Sequence, residues 1–264
     1  MGKGTARIDI PEGIDGRDYS TSLMRGLKVI ACFDRAHETM SLSEVAARTA
    51  MPRAAARRFL LTLRALGYVE AEGRLFRLTP RVLELGFAYL TSMPVWERAQ
   101  PHMERLVEQV NESCSVSVLE GTDIVYVARV PTKRIMSVAL GIGSRLPAWC
   151  TSMGRVLLAG LAPGEREAVL ARADIRALTP YTLTDRAAIL DAVAEAGRSG
   201  HCLVDQELEE GLRSLAVPLR GKSGRLLAAM NVSAHASRIG PAEMRERILP
   251  PLAAAAEAIR QSLA

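Results

Sequence analysis

The 264-residue chain has only four cysteines, Cys32, Cys114, Cys150 and Cys202, and no two of them form a CxxC pair. It also lacks a secretory signal pattern and any apolar run long enough to span a membrane, so the simplest expectation is a protein of a reducing cytoplasm with no membrane partner. The four histidines, His37, His102, His201 and His235, are scattered, and no GxSxG or HExxH pattern occurs. Ser152 stands in Thr-Ser-Met-Gly, which is not a nucleophile elbow. The chain therefore offers no catalytic set, metal-ligand set or cofactor motif, and none is expected. Strong charge of one sign is absent too: 34 Lys+Arg face 29 Asp+Glu, so affinity for an anionic partner must come from local clusters.

One such cluster is present. Residues 41–63 read as two short helices joined by a tight turn, with arginine lining the second. Ser41 and Glu44 fit a capping box, and Pro52 suits the first position of the second helix, expected over 52–66. At 100° per residue Arg53, Arg57 and Arg64 fall within roughly 40° of one another, while Ala56, Phe59, Leu63 and Leu66 point elsewhere. A preceding helix with Leu23, Leu27 and Ile30, capped within Ser20-Thr21-Ser22, supplies a third core element. Two β-prone runs around Glu72-Gly73 predict a hairpin wing carrying Arg74 and Arg77. This is the order of a winged helix-turn-helix, expected over 20–79, after a glycine-rich arm over 1–19. Arg53, Ala54, Arg57, Arg58, Arg64 and Arg74 are the candidate contacts to double-stranded DNA.

Thr79-Pro80 then opens a helix through Leu90, and a second, carrying Val95, Met103, Leu106 and Val110, follows Pro94; together they predict linker helices over 80–111. From Ser113 the period becomes alternating: a hairpin turns at Glu120–Asp123, a strand fits 135–140, and a late hairpin pairs 215–219 with 226–232. Helices are expected at about 152–160, 163–172, 185–198 and 241–262, with Thr184 capping the third. Grouped strands with inserted helices predict an α+β domain over 112–264, an antiparallel sheet covered by helices.

The Leu-Ser-Glu-Val-Ala pattern at 42–46, the run Arg58–Val69, the segment Gly141–Ala159 and the motif Asp205–Ala216 together resemble the IclR family of bacterial transcriptional regulators. The resemblance implies a GAF-like effector-binding domain after the winged helix-turn-helix. Many members have His and Ala where this chain has Trp149 and Cys150, and the aromatic-Cys-Thr-Ser-Met-Gly-Arg pattern is similar to the branch governing protocatechuate and β-ketoadipate catabolism. It implies a small carboxylic acid effector, aromatic or dicarboxylic. Matching the family's pocket adds Ser214, Asn231 and Ser233 as polar lining with Asp205 nearby, although ordinary strand hydrogen bonding explains each of the three as well. On the residues alone, a Gly-rich turn entering a helix is a seat for a carboxylate, with Ser152 and the backbone around Met153 and Gly154 as donors. Arg134 is either a bidentate partner for the acid or a solvated loop residue, and Met136, Trp149 and Cys150 either line the pocket or belong to core.

The expected function is a ligand-responsive DNA-binding regulator of an aromatic-acid catabolic operon, assembled as a homodimer or homotetramer because one reading helix makes too few contacts alone. The competing readings are an architectural DNA binder without a ligand, and a regulator of the same type serving another carbon source.

Overall fold

The computed structural model describes residues 14–15, 17–92, 95–132 and 140–263, and these divide into two compact units, one ending at Tyr89 and one beginning at Leu90. The expected arm therefore lies mostly outside the described residues, as do Pro94 and most of the strand expected at 135–140.

In the first unit, α1 (Thr21–Ala31) starts at Ser20, whose Oγ accepts from Leu23 N. Its buried contact is Val29, fully inaccessible, whereas Leu23 and Leu27 are 63% and 52% exposed. The expected Leu23–Leu27 core stripe is thus corrected. After β1 (Thr39–Ser41), α2 (Leu42–Arg48) opens with the expected capping box: Ser41 N donates to Glu44 Oε2 at 2.7 Å, and Ser41 Oγ accepts from Glu44 N. The turn bends through Ala50 at φ 52°, and α3 (Arg53–Ala65) follows with Pro52 as its N-cap, one position earlier than expected. Ala56, Leu60 and Leu63 of α3 pack with Val29, Met40, Val45 and Val69. Phe59 is only half-buried and Leu66 is 52% exposed, so Leu60 takes the core position assigned to them. The wing is β2 (Val69–Glu72) paired with β3 (Leu75–Leu78), and β1, missed in the sequence, completes a three-stranded sheet in the order β1-β3-β2. A short 3-10 turn, Pro80–Val82, leads into α4 (Leu83–Ser92), which carries the chain from one unit to the next.

The second unit is built on six antiparallel strands in the order β6-β5-β4-β9-β8-β7. These are β4 (Ser113–Glu120), β5 (Asp123–Val130), β6 (Arg145–Pro147), β7 (Cys202–Asp205), β8 (Leu212–Arg220) and β9 (Leu226–His235). One face buries Cys114, Val116, Leu215, Met230 and Val232 against α5 (Val95–Val110) and α10 (Leu249–Ser262). Helix α5, expected as linker, is thus a core helix of this unit, held through Trp96, Ala99, Met103 and Leu106. Between β9 and α10 lie α9 (Pro241–Glu243) and a π turn, Met244–Ile248.

The opposite face carries α6 (Ser152–Ala159), with α7 (Pro163–Arg172) and α8 (Arg186–Ser199) packed around it. Asp185, not Thr184, caps α8 by accepting from Ala188 N at 2.9 Å, and Gly200 ends it at φ 72°. Among the described residues no helix is long and apolar enough to cross a membrane.

Candidate functional site

Two surfaces carry chemistry. The first is α3. Burial of Ala56, Leu60 and Leu63 at i, i+4, i+7 leaves Arg53, Ala54, Arg57, Arg58 and Arg64 exposed, and Arg74 is exposed at the tip of the wing. None of these arginines makes an ion pair among the described residues. Neighbouring arginines differ: Arg77 Nε meets Glu70 Oε1 at 2.6 Å, and Arg48 Nη2 meets Asp34 Oδ2 at 2.5 Å while its Nε donates to Cys32 O. Charge on this unit is thus sorted. Arg48 and Arg77 brace the fold, and the α3 arginines make no ion pair among the described residues.

The second is a narrow cleft between α6 and the sheet, about 560 Å³ of non-atom space including its open mouth. Residues facing α6 come in rows across the strands, because Ser115 is opposite Asn231, Asn231 opposite Ala216, and Ser233 opposite Ser214. Strict alternation would set Tyr126 and Arg129 on opposite faces of β5. A bulge between Val116 and Ser117 leaves Val127 and Ala128 together on the apolar face and turns both Tyr126 and Arg129 into the cleft. Arg129 Nη1 donates to Ser115 Oγ at 3.1 Å and is the cation of the cleft wall, a residue the sequence reading missed. Leu140, Leu146, Val204, Leu208 and Leu212 make the apolar remainder.

The expected pocket residues separate into three groups. Cys150, Ser152, Met153, Ser214, Asn231 and Ser233 all line the cleft. Trp149, Gly154 and Asp205 are not among its lining residues. Trp149 is 2% exposed in the core around α6, and Asp205 accepts from Arg213 Nη2 at 2.7 Å. Gly154 serves packing: a Cβ there would sit 2.1 Å from Ala148 O, and its N–H already donates to Thr151 Oγ1, the N-cap of α6. Arg134 and Met136 lie outside the described residues.

Four side chains form the polar end of the cleft. Ser152 Oγ is 2.7 Å from Ser214 Oγ, Asn231 Nδ2 donates to Ser214 Oγ at 2.8 Å and to Ser233 Oγ at 3.0 Å, and Ser233 Oγ donates to Ser214 Oγ at 3.2 Å. Beneath them Arg155 and Glu207, both buried, pair through two short bonds of 2.6 and 2.7 Å. Arg155 Nε also donates to Trp149 O, and Glu207 Oε2 accepts from Leu183 N. This strut ties α6 to the segment bearing Leu208 and Leu212. Burial pushes the Cys150 thiol up to about 12, with Glu207 adding to the shift, and pushes the Tyr126 phenol up to about 12. Both stay protonated at neutral pH, so Cys150 is no thiolate nucleophile.

Comparison with known proteins agrees with this division. The family model for the IclR helix-turn-helix domain matches residues 22–73, and that for the bacterial transcriptional regulator IclR C-terminal domain matches 87–261. The chain is 46% identical over 239 residues to the Pca regulon regulatory protein of Pseudomonas putida, spanning 90% of this chain and 82% of that protein. A transcriptional regulator structure from Rhodococcus sp. RHA1 aligns at TM-score 0.83 and 53% identity, covering 93% of this chain and 98% of its own. An IclR homolog from Microbacterium hydrocarbonoxydans, complexed with 4-hydroxybenzoate, aligns at TM-score 0.82 and 27% identity, covering 92% and 99%. The IclR relatives are regulators and not enzymes. The chain belongs to the IclR family of bacterial transcriptional regulators.

Proposed function

We propose that the protein reads an operator through α3 and the wing, and adjusts that reading when a small carboxylic acid enters the cleft. The observation that carries the acid is Arg129: the cation of a cleft lined also by Glu209 and by hydroxyl and amide groups, donating to Ser115 and pairing with no carboxylate among the described residues. A carboxylate there would gain a charge-assisted bond in a place where water is largely excluded. The Pca regulator of Pseudomonas putida and the 4-hydroxybenzoate complex of the Microbacterium homolog support an aromatic acid or a related dicarboxylate from aromatic breakdown. Ser152, Ser214, Asn231 and Ser233 are proposed as the polar contacts, with Met153 and Cys150 as wall. Arg53, Ala54, Arg57, Arg58, Arg64 and Arg74 are proposed as DNA contacts, arginine on phosphate for affinity and a few side chains on base edges for choice.

The working unit is proposed as a cytoplasmic homodimer, or a pair of such dimers, on a two-part operator. Helix α4 supports it: Leu83, Leu85 and Phe87 are 70%, 48% and 63% exposed, an apolar surface that a second copy would cover. The acid acts by binding one arrangement of the assembly more tightly than another, since equal affinity would shift nothing.

Thermal melting with and without acids tests the reading. A ligand at about 100 times its Kd adds about 2.7 kcal/mol, a clear upward shift. Operator affinity measured with and without the same acid should change in step. A protein that binds DNA but melts identically with every acid is an architectural binder, and the proposal fails.

A further inference from the structure

The six-stranded sheet has two ends, and the chain treats them differently. At one end lies β6. Ala148 N donates to Thr122 O and Tyr126 N to Ser144 O, so Ile124 and Leu146 are a bonded pair, and Arg145 and Pro147 turn their backbone groups outward. Pro147 has no N–H to offer, and its carbonyl already accepts from Thr151 Oγ1 at 3.0 Å. That edge is closed. At the other end lies β7. Gln206 N donates to Leu212 O at 2.8 Å, which makes Val204–Ser214 and Cys202–Ala216 the bonded pairs of the register. Leu203 and Asp205 therefore turn N–H and C=O away from β8, and neither backbone has a hydrogen-bond partner among the described residues. No proline or lysine stands in β7 to blunt it. A groove of about 770 Å³ of non-atom space, including its open mouth, runs beside the strand, with Ala192 and Ala196 of α8, His201, Leu203 and Arg245 in its lining. An edge left open in this way is a template for another strand.

Resting on the proposed assembly of copies, we infer that β7 pairs antiparallel with β7 of a second copy, joining two sheets edge to edge through an interface that shares no residue with α4. The strand is complementary to itself. In the symmetric register centred on Leu203, the two Leu203 residues exchange both backbone bonds, and His201 of each copy stands opposite Asp205 of the other. Arg245 lies beside His201 and Leu203 in the groove, so the arriving carboxylate meets a cation and a ring nitrogen. On the other face Cys202 stands opposite Val204, apolar on apolar. The next register sets Leu203 against Asp205, and the one after sets Asp205 against itself, like charge on like. Alanine at 192 and 196 leaves the groove open for the incoming strand.

Leu203→Pro tests the pairing, because the Leu203 N–H takes no part in the bonds to β8. Sedimentation of the full chain at micromolar concentration should show the assembly lose half its mass in this variant, with thermal melting close to wild type. Leu203→Cys gives a second readout. The two positions 203 would lie about 5.5 Å apart at Cα, within disulfide reach, so mild oxidation should link copies in pairs. The wild-type chain, whose four cysteines are buried, should not link. Should Leu203→Pro fail to fold, the cross-link decides alone. A folded Leu203→Pro protein of wild-type mass, or a Leu203→Cys protein that stays unlinked, would overturn the β7 contact, leaving the assembly to another surface and the edge to another partner. A wild-type chain that sediments as a monomer would overturn the assembly and the β7 contact together.

Discussion

The two units use arginine in opposite ways. In the first, the arginines of α3 stand in solvent on a helix whose other side is core, and their value lies in being unpaired. In the second, Arg155 and Arg213 are 2% and 5% exposed and held by Glu207 and Asp205. A surface cation can be replaced with little effect on folding, because water solvates the site before and after. A buried cation whose partner is also buried cannot: removing Arg155 strands Glu207 in a place water does not reach, whereas Asp205, with 38% of its side chain exposed, keeps access to water. One unit leaves arginine charge exposed to solvent; the other uses charge to hold the shape of a cleft.

The sharpest way to break that contrast is to remove one arginine of each kind. Arg155→Ala should destabilise the second unit by about 3–5 kcal/mol, because Glu207 loses both of its short bonds while staying buried. Arg77→Ala, which removes an exposed pair with Glu70, should cost under about 1 kcal/mol. Urea unfolding with separate probes for the two units measures both. Comparable costs would show that burial does not set the difference.

Next in size is a pair within α3. Leu60 is fully buried and Leu60→Ala should cost about 2–5 kcal/mol of stability. Arg57→Ala should leave the melting temperature nearly unchanged and weaken specific operator binding by about 1–3 kcal/mol, with a shallower salt dependence. A folded Arg57→Ala protein that binds its operator normally, in the same salt, would remove α3 as the reading helix.

These two residues also show what the sequence could reveal. Helix α3 and its exposed arginine side were legible because everything they need is local: a capping box, a 3.6-residue apolar period and arginines on the free side. The order of elements and the α+β class were legible for the same reason. Leu60 was missed in favour of Phe59 because a helical wheel gives a face but not its centre, and the packing partners Val29 and Met40 fix that. The cleft was half legible. Ser152 was read from the Gly-rich turn entering a helix, and Ser214, Asn231 and Ser233 through family likeness, but Arg129 reaches the cleft only because a bulge breaks the alternation of β5. No feature of the run Ile124–Val130 announces that bulge. Trp149 and Gly154 stand in the most recognisable motif yet serve packing, since a motif marks what a fold needs as readily as what a ligand touches.

A pH experiment separates the units further. Burial raises the thiols of Cys150 and Cys202 to about 12 and about 11, from 9.0, and the Tyr126 phenol to about 12, from 10.0. These groups hold their protons more tightly folded than unfolded. Their contribution is complete below pH about 9 and is lost as pH rises through the folded values, because the unfolded chain ionises first. The second unit should therefore melt at progressively lower temperature from pH 9 to 11. The first, whose Cys32 is raised by burial but partly countered by Arg48, should change less. A first unit that loses stability as steeply would contradict this account.

The smallest expected effect lies at the turn between α2 and α3. Ala50 is exposed and sits at φ 52°, where a Cβ crowds the following carbonyl at a cost of about 1–2 kcal/mol. Glycine removes that crowding but gives the unfolded chain more freedom, which returns about 0.4–1 kcal/mol. Ala50→Gly should thus stabilise the first unit by about 0.5–1 kcal/mol and leave the second untouched. Because the turn sets the angle between α2 and α3, the proposed reading helix, operator affinity should be measured beside the melt. Gained stability with unchanged affinity would mean that the strain at Ala50 has no part in recognition. Gained stability with weakened affinity would mean that the alanine holds α3 at its working angle, so that even in the locally legible unit one residue is chosen for the partner over the fold.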